Sequence, residues 1–116
     1  MSESKVSSLD LALAAREALL NKKGTEISIL DVRDISNVTD FYVIATGNNS
    51  PHLKALWGEC EHVLLEHRGR AYRHAGNAAS GWLVGDYWDV VVHIFSADAR
   101  KHYALETLWR DAKPVD

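Results

Sequence analysis

Two hydrophobic periods alternate along the chain. Leu9, Ala12, Leu13, Leu19 and Leu20 recur at helical spacing, with Asp10, Glu17 and Asn21 opposite them. Ser7 or Ser8 is placed to cap this first helix, and Asp10 to complement its positive end. Lys22-Lys23 suits the last turn and Gly24 the stop. Ile27 to Val32 alternates loosely, as a strand does. After a polar turn from Asp34 to Thr39, Asp40 to Thr46 is apolar enough for an interior strand, which Gly47-Asn48-Asn49 breaks. The clearest period follows. Leu53, Leu56, Trp57, Cys60, Val63, Leu64 and His67 step by three and four, with Lys54, Glu61 and Glu66 on the wetter side. This predicts a helix from Ser50 to His67, with Ser50 as cap and Pro51 first in the helix, where its missing N–H costs nothing.

The second half returns to strands. Arg70 to His74 is short and charged, as suits a sheet edge, and Ala75 to Gly81 is small and polar, as suits a loop. Trp82 to Phe95 is rich in β-branched and aromatic residues, with Asp86 and Asp89 bracketing Tyr87-Trp88. It predicts two strands joined by a tight turn. Val90 to Phe95 is apolar except at His93, so it belongs in the middle of a sheet covered on both faces. Ser96 is set to cap a last helix, with Asp98 in its first turn and Leu105, Leu108, Trp109 and Ala112 as its stripe. The expected fold is a single α/β domain in the order α-β-β-α-β-β-β-α. Its sheet is mixed and five-stranded, with flanking helices. Residues 1–6 are expected to be disordered, 7–112 to form the domain and 113–116 to be a tail.

Totals narrow the function. The chain has 116 residues, 47% of them hydrophobic, which is enough for one modest core. No apolar run approaches the roughly 18 residues needed to cross a membrane. The polar start lacks the apolar region of a signal peptide, and a lone cysteine, Cys60, cannot form an internal disulfide. Cytoplasm is the expected address. The net charge is −3 and the basic residues are scattered, with Arg68, Arg70, Arg73 and His74 the densest group. Direct DNA or RNA binding driven by charge is therefore disfavoured, and a basic protein is a better partner.

Candidate chemistry is sparse. Asp86 and Asp89 flank a turn and need not point the same way, and no Asp-x-Asp occurs for a shared pair of magnesium ions. Gly47-Asn48-Asn49-Ser50 precedes a helix and could hold an anion, but has neither the Walker lysine nor the dinucleotide glycine spacing. An ordinary strand-to-helix turn explains it as well. His62 and Glu66 share a helix side but have no defined third metal ligand, so a solvated pair is the plainer account. His93 reads as a core histidine bonded to a neighbour, with a role at the sheet end as the minority alternative. Cys60 reads as packing. No cofactor or metal is expected. Trp82, Tyr87, Trp88, Tyr103 and Trp109 crowd near Asp86, Asp89, Asp98 and Glu106. Rings beside acids are typical of protein interfaces, although Trp109 fits the core stripe.

Three blocks of residues, in order, carry a resemblance. They are Asp40-Phe41-Tyr42-Val43-Ile44-Ala45-Thr46-Gly47 with Ser50; Trp82-Leu83-Val84 through Asp86-Tyr87 and Asp89 to Phe95; and Arg100, Tyr103, Leu105-Glu106, Leu108-Trp109. Together they resemble the ribosomal silencing factors of the Iojap family, over roughly Val6 to Ala112. The resemblance implies a nucleotidyltransferase-like fold without enzymatic activity. It implies docking on ribosomal protein L-fourteen of the large ribosomal subunit, a surface needed for joining the small subunit. Translation would be repressed by occlusion. By position, Trp82, Asp86, Asp89 and His93 belong to the family motif. The partner-binding residues expected from it are these four with Tyr87, Arg100, Tyr103 and Glu106. Two departures stand out: Trp88 occupies a position where the family usually has glycine, and Ala75 replaces a frequent acid before Gly76. Two rival readings remain at this point. One is a nucleotidyltransferase-type enzyme using the Gly47 loop and Asp86/Asp89; the other is a homodimer formed through the same aromatic face.

Overall fold

A computed structural model of the chain describes residues 7–36, 39–67, 73–103 and 113–115. The elements are α1 (Ser8–Asn21), β1 (Thr25–Asp31), β2 (Phe41–Gly47), α2 (Ser50–His67), β3 (Arg73–Asn77), β4 (Trp82–Asp86), β5 (Val90–Ser96), α3 (Ala97–Tyr103) and β6 (Lys113–Val115), with a 3-10 turn at Ala78–Ser80. The strands form one mixed sheet in the order β3-β4-β5-β2-β1-β6. Among the described residues β2 and β5 pair in parallel, through a crossover that contains α2, and the other neighbours are antiparallel.

The sheet thus has six strands where five were expected. Lys113–Val115, expected as a tail, pairs with Asp31, Leu30 and Ile29 of β1. Three residues containing a proline carry no strand period, and Pro114 is tolerated because β6 is an edge. β3 also runs later than expected, through Asn77, and is exposed at every position. Pairing with β4 holds it there, so no apolar alternation marks it. Asn77 then ends the strand by accepting the Ser80 N–H at 2.8 Å. The part of the expected strand at 70–72, and the expected stripe Leu105, Leu108, Trp109 and Ala112, lie outside the described residues.

α1 and α2 cover one sheet face. Their buried residues pack against Ile29, Phe41, Val43, Ala45, Val90, Val92 and Ile94. α2 has the bounds its period predicts; of its stripe Leu53, Leu56, Cys60 and Leu64 are buried and Trp57 and Val63 partly so, while His67 is exposed. Its cap differs: Asn49, not Ser50, accepts the His52 N–H at 2.9 Å. Pro51 is therefore second in the helix, still within the turn whose N–H groups have no intrahelical partner. α1 is capped by Ser7 as expected, but buries Leu11, Ala12, Ala15, Ala18 and Leu19 while Leu9 and Leu20 are exposed. Alanines allow close approach of a helix, and a reading weighted towards leucine misses that face. The helix ends at Asn21 with Lys22 as its cap, and Lys23 then takes φ 64°, one residue before the glycine expected to stop it.

Candidate docking face

Alternation along the strands assigns the second sheet face. Cross-strand partners share a face, so Trp82 with Phe95, Val84 with His93 and Asp86 with Val91 lie together on β4 and β5. The parallel register adds Tyr42, Ile44 and Thr46 beside Val91, His93 and Phe95. Leu30 and Ser28 extend the face onto β1, and Arg73 onto β3. Among the described residues, α3 is the helix packed on this side. Its Ala99 joins Leu30, Val32, Ile44, Phe95, Tyr42 and Trp82 in a small second core. Trp82, Val84, Val91 and Tyr42 are half-buried, while Ile44, Thr46, His93 and Phe95 are buried, so among the described residues rings and branched side chains leave this face partly exposed.

His93 sits at its centre, 9% exposed. Its ring is stacked on Phe95, at 5.8 Å between centroids and 4° between planes, and on Trp82, at 6.1 Å and 13°. The Trp82 indole Nε1–H donates to His93 Nδ1 at 3.2 Å. That bond needs an unprotonated Nδ1, which places the hydrogen of the neutral ring on Nε2. Burial lowers the His93 pKa from 6.5 to about 4. His93 is thus the bonded core histidine that the sequence suggests, and it lies within the face as well. The pH consequence has a definite sign. The unfolded chain takes up this proton near pH 6.5 and the folded one only near 4, so the stabilisation is complete above 6.5 and is lost as pH falls between the two. At about 1.4 kcal/mol per unit, the loss reaches roughly 3 kcal/mol. An NMR titration should find the His93 ring neutral through pH 5. A midpoint near 6.5 would show that the ring is not enclosed as described.

The turn between β4 and β5 separates neighbours in sequence. Tyr87 is 1% exposed and its ring lies in the core under α1 and α2, where burial raises its pKa. The expected contact at Tyr87 is therefore not offered at the surface: the ring anchors the turn from inside. Trp88 points the other way, 60% exposed. Asp86 Oδ1 accepts the Trp88 N–H at 2.9 Å, so this carboxylate shapes the turn. It also faces Arg73 Nη2 at 3.9 Å. The Asp89 carbonyl accepts the N–H groups of Asp40 at 2.8 Å and Phe41 at 3.1 Å, tying the turn to the start of β2. Asp40 in turn takes the Ser8 hydroxyl at 2.7 Å. Asp40, Asp86 and Asp89 thus gather at one end of the sheet. The acid edge raises the Tyr42 pKa, after burial, through Asp86. Asp40, Tyr42, Val84 and Val91 were not singled out from sequence. Knowing which strands are neighbours, with their register, would have found them.

Arg100 has a different setting. Its guanidinium donates to the Glu26 carbonyl, to Thr46 Oγ1 at 2.9 Å and to Ser28 Oγ at 3.4 Å. These bonds fasten α3 to β1, at the bulge between Thr25 and Ser28, and to β2. Arg100 therefore positions α3 at one end of the face. The side chain of Tyr103, and Glu106 entirely, lie outside the described residues.

The rival enzymatic site does not assemble. In the parallel register Gly47 pairs with Ser96 and Phe41 with Val90. The Gly47 loop and the Asp86–Asp89 turn thus lie at opposite ends of the sheet, roughly 20 Å apart over the length of β2. Gly47 itself is explained by packing: a Cβ there would stand 2.7 Å from Leu53 Cδ2. Beside that loop a cavity of about 480 Å³ is lined by Asn49, Ser50, Ser80, Ser96 and Asp98, among others. Anion binding there is poorly served, because Pro51 has no N–H and Asn49 takes that of His52. Among the described residues no group of three His, Cys, Asp or Glu is placed to hold a metal. Cys60 is buried in the core, which pushes its thiol pKa up to about 12, far from nucleophilic use. No helix among the described residues is long and apolar enough to cross a membrane.

Comparison with known proteins adds a second, independent line. Residues 5–116 match the family described as "Ribosomal silencing factor during starvation". The chain is similar to the ribosomal silencing factor RsfS of Halalkalibacterium halodurans, 34% identical over 96% of this chain and 95% of that one. It is also similar to the chloroplast protein Iojap of maize, 28% identical over 93% of this chain and 47% of that one. A crystal structure of a Chromobacterium violaceum protein superposes with a TM-score of 0.86 at 29% identity, covering 95% of this chain and 92% of that one.

Proposed function

The chain belongs to the ribosomal silencing factor (RsfS) family, and from that premise we propose that it represses translation by binding the large ribosomal subunit. It acts by occupancy, without catalytic turnover and without a cofactor. Docking is on ribosomal protein L-fourteen, and the bound domain fills space that the small subunit needs. The compartment is the cytoplasm, where the ribosome is.

The observation that carries the docking reading is the group of half-buried rings and branched side chains on the second sheet face, with the acid edge beside it. Trp82, Tyr42, Val84 and Val91 offer ring and branched surface, and Asp40, Asp86 and Asp89 border it at one end. Such a patch suits a protein surface that is apolar at the centre and basic at the rim. With a net charge of −3, the chain is poorly suited to a phosphate backbone. Of the described residues expected from the family, Trp82, Asp86 and Asp89 contact the partner. His93 supports Trp82 from behind, and Arg100 holds α3.

The test is co-sedimentation with isolated large subunits, with and without their L-fourteen protein, followed by addition of small subunits. Binding that depends on L-fourteen and blocks joining is expected. Equal binding to both preparations sinks the choice of partner, and free joining in the presence of bound protein sinks the occlusion mechanism.

A further inference from the structure

We propose that Trp88 is a specificity-determining anchor of this chain, inserting its indole into a pocket on a basic protein partner. This rests on the docking face just described and names a residue of it that neither the motif nor the register assigns. The first observation is conformational. Trp88 has φ 74°, in the left-handed region, which bulky side chains rarely adopt and which glycine adopts freely. The turn enforces it from both sides. Tyr87 N–H donates to the Val90 carbonyl at 2.8 Å, Asp89 N–H to the Tyr87 carbonyl at 3.0 Å, and Trp88 N–H to Asp86.

The second observation is exposure. Trp88 is 60% accessible, while its neighbour Tyr87 is buried in the core. A strained backbone and a large exposed ring both oppose folding. Strained residues cluster at functional sites, and indoles are prominent among the residues that dominate interface energies.

The third observation identifies the occupant. Asp86 and Asp89 flank the ring, and Asp40 is bonded to the Asp89 backbone beside them. Arg73 stands 3.9 Å from Asp86 and Arg33 interacts with Asp40, so among the described residues three carboxylates face two cations here. A basic protein surface is matched by this rim; RNA is repelled by it.

Two variants separate the role in binding from the role in folding. Trp88→Gly relieves the left-handed strain, so its melting temperature should rise by about 3 °C. Its affinity for isolated large subunits should nonetheless fall about tenfold. Trp88→Ala keeps the strain and loses the ring, so it should show the same tenfold loss without the rise. A turn residue of purely structural importance would move stability and leave binding alone. If Trp88→Gly binds like the wild type while Trp82→Ala does not, the anchor is refuted and the docking face stands. If both variants bind fully, the face falls too. Wild-type retention on naked ribosomal RNA, but not on the basic protein, overturns the stated partner.

Discussion

Trp82→Ala is expected to lower affinity for isolated large subunits at least tenfold and to cost about 2 kcal/mol of folding stability. The two effects have separate causes. Stability falls because the indole stacks on His93 and Phe95 and covers part of the second core, although it is only half-buried itself. Binding falls because the same ring is half-exposed on the face, and indoles buried at interfaces commonly contribute more than about 2 kcal/mol. The indole N–H is already bonded to His93, so it is the ring surface that meets a partner. Trp82→Phe should therefore bind much better than Trp82→Ala. Co-sedimentation well below the melting temperature, read beside circular dichroism, checks this. Undiminished binding by a folded Trp82→Ala would place the docking face elsewhere.

Gly76→Ala is expected to destabilise the domain by about 3 kcal/mol and to weaken binding without touching any contact residue. Gly76 has φ 86°, and a Cβ there would stand 2.2 Å from the Trp82 carbonyl oxygen and 3.1 Å from its carbon. Both atoms are backbone, so the conflict cannot be relieved by a rotamer change. Left-handed strain adds on the order of 1 kcal/mol, and forced displacement of packed atoms typically 1–3 kcal/mol. The displaced backbone is that of Trp82, so the edge hairpin and the principal ring of the face move together. A denaturant melt measures the first effect and sedimentation the second. Wild-type stability would mean that β3 and β4 do not approach as closely as described.

The sequence is most legible where burial imposes a period. α2 was readable in its bounds and most of its stripe, because that stripe meets both α1 and the sheet, and β5 because nearly all of its residues are buried. β3 and β6 were not, since neither carries an alternating apolar pattern; pairing with a neighbour defines both. The candidate site was half legible. Trp82, Asp86 and His93 could be found from one hairpin, but their grouping with Tyr42 required the parallel register across a distant strand. Tyr87 and Trp88 mark the limit. They are adjacent, similar aromatics with opposite fates, and only the conformation of a two-bond turn decides which faces the core. Arg100 likewise resembles a surface cation until its acceptors on β1 and β2 are known.

The single parallel pair at the centre of the sheet also governs the timing of the protein's own birth. Residue 41 must find residue 90, and residue 47 residue 96. Such non-local closure is slow and has to await synthesis of both partners. Until then the first half emerges with the β2 edge and its apolar residues unsatisfied, a form prone to sticking and dependent on protection. Trp82 and His93 are both made late, near or within the strand that completes this closure. An unfinished or truncated copy therefore carries no working face, and only a completed chain is able to compete for a target.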